Sequence, residues 1–298
     1  MIQLGLRVDV DTRIGMREGV PRLLDLFRKL GIRVSFFVSF GPDHSGRAMR
    51  RLWRPSFLLK MLRTNPLRLY GLKTLLYGTL LPSQPIGEGA PELLRSVAAQ
   101  GHELGIHGYD HVRWQDRLES MDEAEIEREL GLSVAAYERV MGVRPSSSAA
   151  PGWRCTASSL MVQDRLGFLY ASDVRGTCPF FPVENGVNFK TLQIPTTLPT
   201  MDELIGRVKD IRNTLLSYIH DGLNVLTVHA EVEGRVYHSL FGSILEGALE
   251  RKLVIGPLLE IAQSTLQGDV NGIPHLPLRR GRVPGRSGWI AQQGILAV

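Results

Sequence analysis

Two cysteines, Cys155 and Cys178, are the only thiols in 298 residues, and they form no Cys-x-x-Cys pair. That excludes a disulfide framework and a cysteine-built zinc site, and such sparing use suits a reducing compartment. No run of 18 or more apolar residues occurs, so no membrane-spanning helix is expected. Met1 to Val8 lack the basic and long apolar segments of a secretory signal, which sets the expectation of a cytoplasmic protein. A glycine-rich phosphate loop and an internal repeat are also missing, which removes P-loop chemistry and solenoid architectures. The most local absence is of acid: from His44 to Gly87 there is no Asp or Glu.

A hydrophobic share of 43% is enough for a sizeable core, and the length fits one α/β barrel or two smaller domains. The net charge of +5 suits phosphates, nucleic acid or an anionic membrane face, and equally an ordinary basic surface. Leu4–Val10 reads as a first core strand. Leucines and Phe27 at helical spacing between Pro21 and Gly31 predict a helix over 20–30, and Val34–Val38 a second strand. Strand, helix and strand make a βαβ unit and a parallel sheet. Further helices are expected over 90–100, 121–141, 201–221 and 240–252, and further strands at 104–106, 166–173, 193–200 and 223–229.

Chemistry-bearing residues fall at the ends of the expected strands. Asp9 and Asp11 sit two apart, so an extended segment aims both at one spot, where paired carboxylates call for a cation. The same two serve equally well as a solvated strand end with a cap. His107 and His111 follow a short apolar run, with Gly105 and Gly108 to turn the chain. They fit a metal ion, or a pair of satisfied loop histidines. His229 ends the strand Leu223–Val228, where a barrel places catalytic groups. The turn Pro151-Gly152 is expected to present Trp153 and Arg154 to a ligand.

The acid-free stretch, within an insertion over 41–89, interleaves Arg50, Arg51, Arg54, Lys60 and Arg63 with Trp53 and many leucines, and Pro55, Pro66 and Pro82 cut it into short pieces. Short amphipathic basic helices of this kind lie on anionic bilayers. A plain helical insertion and an RNA surface are the other readings, and the leucine content argues against nucleic acid.

Together, Asp-x-Asp after the first strand, His-x-x-x-His after a middle strand and Val-x-His after a late strand resemble the NodB-type polysaccharide deacetylases. The resemblance implies a distorted (β/α) barrel with one divalent metal, Zn, Mn or Co. It also implies Asp11, His107 and His111 as ligands, Asp9 as general base and His229 as general acid. The family's third motif has an arginine before the proline. Here Ser147, Ala149 and Ala150 precede Pro151, and Arg154 is expected to orient Asp9 instead. Of the fourth motif only Asp173 remains, as the expected partner of His229.

The wording around Asp9–Thr12, Ala150–Arg154, Ser172–Gly176 and Thr227–Gly234 is similar to the branch of that family that deformylates an amino-arabinose on undecaprenyl phosphate. That likeness implies a lipid-linked sugar substrate, an anionic inner-membrane surface as partner, and peripheral attachment at its cytoplasmic face. Arg154, Arg175 or insertion arginines would then hold the phosphodiester. The alternatives are deacetylation of another glycan and a non-catalytic polyprenyl-phosphate binder. The expected layout is one catalytic domain over 1–265 and a mobile Gly/Pro/Arg-rich tail over 266–298.

Overall fold

The computed structural model describes residues 3–53, 55–64 and 66–295, with backbone alone at positions 56, 60, 62, 64, 66, 68 and 70. In chain order the strands are β1 (Leu4–Val10), β2 (Ser35–Val38), β3 (Glu103–Ile106), β4 (Ser147–Ser148), β5 (Tyr170–Ala171) and β6 (Phe181–Glu184). They continue with β7 (Val187–Asn188), β8 (Leu192–Gln193), β9 (Asn224–His229), β10 (Ile255–Gly256), β11 (His275–Gly281) and β12 (Ile290–Gln293). β9, β1, β2, β3, β4, β5 and β8 lie side by side with every pairing parallel, and β10 joins the start of β1. The sheet curls into a half-barrel surrounded by helices, the expected α/β architecture.

All seven residues of β1 are buried, as a central parallel strand requires. Leu4, Leu6, Val8 and Val10 enter the core cluster that also takes Leu23 and Phe27 of helix Val20–Leu30 and Phe241 and Leu245 of helix His238–Glu250. The alternate residues Arg7 and Asp9 therefore face the inside of the half-barrel. Helix Val20–Leu30 ends as its sequence predicts, on Gly31 at φ 66°.

The two mouths of the half-barrel differ. At the N-terminal ends of the strands, the buried Glu103 carboxylate accepts from Ser147 Oγ (2.7 Å), Tyr170 Oη (2.7 Å), the Leu259 N–H (3.0 Å) and Ser35 Oγ, which closes that mouth. The C-terminal ends are left to carry Asp9, Asp11, His107 and His229.

Three expectations change. The helix expected over 201–221 is two helices, Met201–Leu204 and Ile211–Tyr218, because Gly206 turns at φ 68° and Asp210 caps a new start. The strand expected over 166–173 is only β5, since helix Ala157–Leu166 runs up to Gly167 at φ 73°. The expected mobile tail is built in as far as it is described. β11 pairs with β6 and β12, and the Arg175 and Ala291 segments bond through Arg175 N to Ala291 O (3.0 Å) and Gln293 N to Arg175 O (2.8 Å). Composition misled there because few apolar residues suffice: Leu276, Leu278 and Ala291 pack with Val174 and Phe180. The insertion forms a 3₁₀ segment, Ser45–Trp53, and helices Pro55–Thr64 and Pro66–Leu76, each helix opened by its proline.

Candidate active site

Asp11 continues the inward face of β1 just past its end, and His107 follows β3 directly. Gly108, at φ 68°, then turns the chain, and Asp110 caps helix His111–Arg117 by accepting from the Arg113 N–H (2.9 Å). The His-x-x-x-His spacing thus spans a strand end and a helix start rather than one loop. Asp110 is itself fixed: His44 Nδ1 donates to its Oδ2 (2.6 Å), and its own N–H donates to the buried Glu129 (2.6 Å).

His107 Nε2 stands 3.3 Å from Asp11 Oδ1, and His111 Nε2 stands 3.2 Å from Asp11 Oδ2. One ligand atom from each of the three residues lies within 4.8 Å of the others. His107 Nδ1 donates to the Ala149 carbonyl (2.8 Å), which leaves the Nε2 lone pair aimed at a carboxylate. A lone pair so opposed to a carboxylate is satisfied by a proton or a metal ion between them. Asp11 Oδ1 is buried with no hydrogen-bond partner, an atom left over for that cation. One carboxylate and two imidazoles gathered in this way fit the donor set of a divalent metal ion. Burial works against the Asp11 charge, yet His111 and His107 together hold its carboxyl well below the usual range. Burial also works against charge on His107, but Asp9 and Asp11 outweigh it and raise its affinity for a proton.

Asp9 is close to this triad and is held apart from it. Its Oδ2 is 3.6 Å from His107 Nε2, but the carboxylate is gripped by Arg7, whose Nε and Nη2 donate to Oδ1 (2.6 Å) and Oδ2 (2.7 Å). Arg7 is fully buried between the rings of Phe37 and Trp153, each 5.4 Å from its guanidinium carbon, and Nη1 donates to Ser172 Oγ (3.1 Å) and to the Ser172 carbonyl. The expected role of Arg154 is therefore corrected: Arg7, two residues upstream, orients Asp9. A buried arginine inside an apolar strand was the available signal. Arg154 instead lies over the Trp289 ring at 4.9 Å, with Glu119 3.9 Å away.

His229 pairs in register with Asp9 across β9 and β1, so both side chains face the same interior. Asp173 does not hold it. The Asp173 Oδ2 accepts from Gln163 (2.7 Å) and Gln193 (3.2 Å). What touches His229 is Glu233, whose Oε2 accepts the His229 N–H at 2.7 Å. His229 Nδ1 and Glu233 Oε1 are both buried without hydrogen-bond partners. Glu231 lies beside Asp11 and His229 in the cavity wall, and burial first, then the Asp11 charge, pushes its carboxyl well up. Gly15 makes room for it, since a Cβ there would come within 2.4 Å of Glu231 Oε2. Sequence reasoning assigned no role to either glutamate.

Burial pushes the Glu233 carboxyl up to about 8 from 4.5, and Asp202 and Asp9 add to the rise. A carboxyl raised on folding contributes stability that is whole below its unfolded value and is lost as pH climbs through the folded one. Glu233→Gln keeps an acceptor for the His229 N–H. It should flatten the fall in melting temperature between about pH 5 and 9. Equal slopes for the two proteins in thermal melts would remove Glu233 as the source.

The remaining expected contacts divide. Trp153 is core rather than displayed, 1% exposed, with Nε1 donating to Thr196 Oγ1 (3.0 Å). Arg175 is buried against the protein, donating to Glu203 Oε1 (2.9 Å) and the Leu198 carbonyl (2.8 Å). Arg63 ties the insertion to the carbonyls of Asp202, Glu203 and Gly285, each at 3.0 Å, so it faces the body of the protein. Arg51 borders the cavity and donates to Asp116 (2.7 Å) and Gln115 (2.6 Å). Arg50 is exposed and Trp53 is 93% exposed. Arg54 and the Lys60 side chain lie outside the described residues.

The polysaccharide deacetylase family profile matches residues 9–171, from the putting-in-place of Asp9 to the end of β5. A probable 4-deoxy-4-formamido-L-arabinose-phosphoundecaprenol deformylase of Shewanella sediminis is 38% identical over 98% of this chain and 94% of its own. The chain belongs to the polysaccharide deacetylase family. A second relative of the same description, from Wigglesworthia glossinidia brevipalpis, is 34% identical over 94% of this chain and 98% of its own. A crystal structure described as a polysaccharide deacetylase of Mycobacterium smegmatis superimposes with a TM-score of 0.65 over 95% of this chain and 96% of that one. Its 20% identity speaks for the fold alone. In this deacetylase-family chain the half-barrel follows the family fold, and the arginine that grips Asp9 comes from β1.

Proposed function

We propose that this deacetylase-family enzyme removes the N-formyl group from 4-deoxy-4-formamido-L-arabinose carried on undecaprenyl phosphate. The products are formate and the 4-amino sugar lipid used for lipid A modification. The observation that carries the reading is Asp9, clamped by Arg7 at 2.6 and 2.7 Å beside the Asp11, His107 and His111 set but not spent on it. The two relatives at 38% and 34% identity support the formyl sugar as substrate.

Asp11, His107 and His111 would hold a divalent ion, which supplies Lewis acidity to the attacking water and the amide oxygen. Asp9 takes the water's proton as the nucleophile attacks the formyl carbon. Arg7 fixes the direction of that carboxylate, so no reorientation is needed during the step. His229, facing the same interior, gives a proton to the departing sugar nitrogen, and the C–N bond breaks to formate and amine. Glu233 sets the His229 backbone, and Glu231 walls the site against bulk water. The test is formate release from the lipid-linked formamido sugar, with the acetamido analogue alongside. Formate from the first and little acetate from the second is expected. Acetate as the main product would replace deformylation with deacetylation.

The insertion supports action at a membrane surface. Trp53, Leu59, Leu67, Leu72 and Leu80 are each more than half exposed there, with Arg47, Arg50 and Lys73 exposed among them. No helix among the described residues is long and apolar enough to cross a membrane. Burying one large apolar side chain contributes about 1.5–3 kcal/mol, so Trp53→Ser with Leu59→Ser should weaken partitioning onto phosphatidylglycerol vesicles about tenfold or more. Flotation that is unchanged in the double variant would sink the membrane reading.

A further inference from the structure

The cavity that contains Asp11, His111 and His229 is not closed by the barrel alone. Part of its wall is Arg286, Ser287 and Trp289, contributed by the turn between β11 and β12, and another part is Phe57, Met61 and Leu75 from the insertion. The turn lies outside the segment that the family profile matches, which ends at residue 171. It is moulded to its place by two glycines. Gly285 has φ 91°, and a Cβ there would come within 2.5 Å of the Glu203 carbonyl oxygen. Gly288 has φ 87°, and a Cβ there would come within 2.7 Å of Arg154 Nη2. Close backbone approach of this kind fixes the two residues between them, Arg286 and Ser287.

Arg286 is mostly buried yet incompletely satisfied. Its guanidinium carbon stacks 4.3 Å over the Trp153 ring. Its Nη1 lies 3.6 Å from Glu203 Oε1, too far for a hydrogen bond, and is buried with no hydrogen-bond partner. Glu203 Oε1 is already taken by Arg175 at 2.9 Å, and Oε2 accepts the Thr200 N–H at 3.1 Å. Around this point stand the guanidiniums of Arg63, Arg175 and Arg286 with the carboxylates of Asp202 and Glu203. A guanidinium that lines the cavity, and whose nearest carboxylate is already taken by Arg175, can receive an anionic group.

We propose that the β11–β12 turn is the phosphate-recognition wall of the active-site cavity and that Arg286 is its cationic contact for the substrate's phosphodiester. The inference rests on the deformylase reading and extends it. The sugar occupies the space between the Asp11 side and Arg286, the phosphodiester meets Arg286, and the first isoprene units run along Phe57, Met61 and Leu75. The chain segment once expected to be a free tail thereby selects for a phosphate-borne sugar over a neutral glycan.

The test uses the full chain and its Arg286→Gln and Arg286→Lys variants, with two readouts. The first is the ratio of kcat/KM for formamido-arabinose linked to geranyl phosphate to kcat/KM for its methyl glycoside. The ratio should fall about tenfold or more in Arg286→Gln and recover in part in Arg286→Lys. A variant that merely folds poorly lowers both substrates together and leaves the ratio where it was, so an unchanged ratio overturns the proposal. The second readout is direct binding of geranyl phosphate, followed by tryptophan fluorescence. Weakening of about tenfold in Arg286→Gln is expected, and equal binding by wild type and variant overturns the proposal. Inorganic phosphate at matched ionic strength should compete poorly. Competition as strong as that of geranyl phosphate would overturn the lipid-linked assignment. If geranyl phosphate binds through Arg286 while no formamido-arabinose substrate yields formate, the phosphate site stands and the deformylase reading fails.

Discussion

Asp9→Asn is expected to lower kcat for formate release about 10²–10⁴-fold while metal content stays at the wild-type level. The asparagine occupies the same volume and can still accept from Arg7, but it cannot take a proton from water. The nearest triad atom, His107 Nε2, is 3.6 Å from Asp9, while the three residues of the triad keep their own spacing. Turnover and metal analysis on one preparation separate the two roles. Near-normal rates would show that another group is the base, and loss of metal along with turnover would move Asp9 into the ligand set.

Arg7→Met should be the most damaging single change to the fold of the site. It leaves the Asp9 carboxylate, 3% exposed, without its bidentate partner. Breaking a buried pair from one side costs about 3–5 kcal/mol, which for a chain of this length lowers the melting temperature by roughly 5–8 °C. Catalysis should fall as well, because the carboxylate loses the two hydrogen bonds that fix its direction. Arg7→Lys retains charge but loses the paired geometry, so it should fall between. In an Asp9→Asn background the Arg7→Met change should cost less, since no charge is stranded. Wild-type melting and turnover in Arg7→Met would show that the pair contributes nothing.

What could be read from the sequence was local. The alternation of β1 places Asp9 and Asp11 on one face, the apolar run before His107 marks a strand end, and the Val and Leu run before His229 marks another. These are short-range patterns, and parallel strands gather their C-terminal ends at one mouth of the sheet. What could not be read was set by distant contacts. Arg7 looked like an interruption in an apolar strand because its other partner, Ser172, is 165 residues away. Arg154 stood beside the family's proline and drew the role that Arg7 performs. Asp173 looked like a partner for His229 until the pairing of β5 turned it toward Gln163 and Gln193. The last segment was misjudged because its glycines and arginines fit a mobile tail by composition. In the fold the same glycines permit close packing on Glu203 and Arg154.

The central claim is that Asp11, His107 and His111 hold a divalent ion on which amide hydrolysis depends. Its most direct test measures formate release and metal content together, before chelation, after chelation and after return of Zn, Mn or Co. The account predicts that both are lost together and that at least one of these metals restores both. Formate release that continues at full rate with metal content near zero would contradict it.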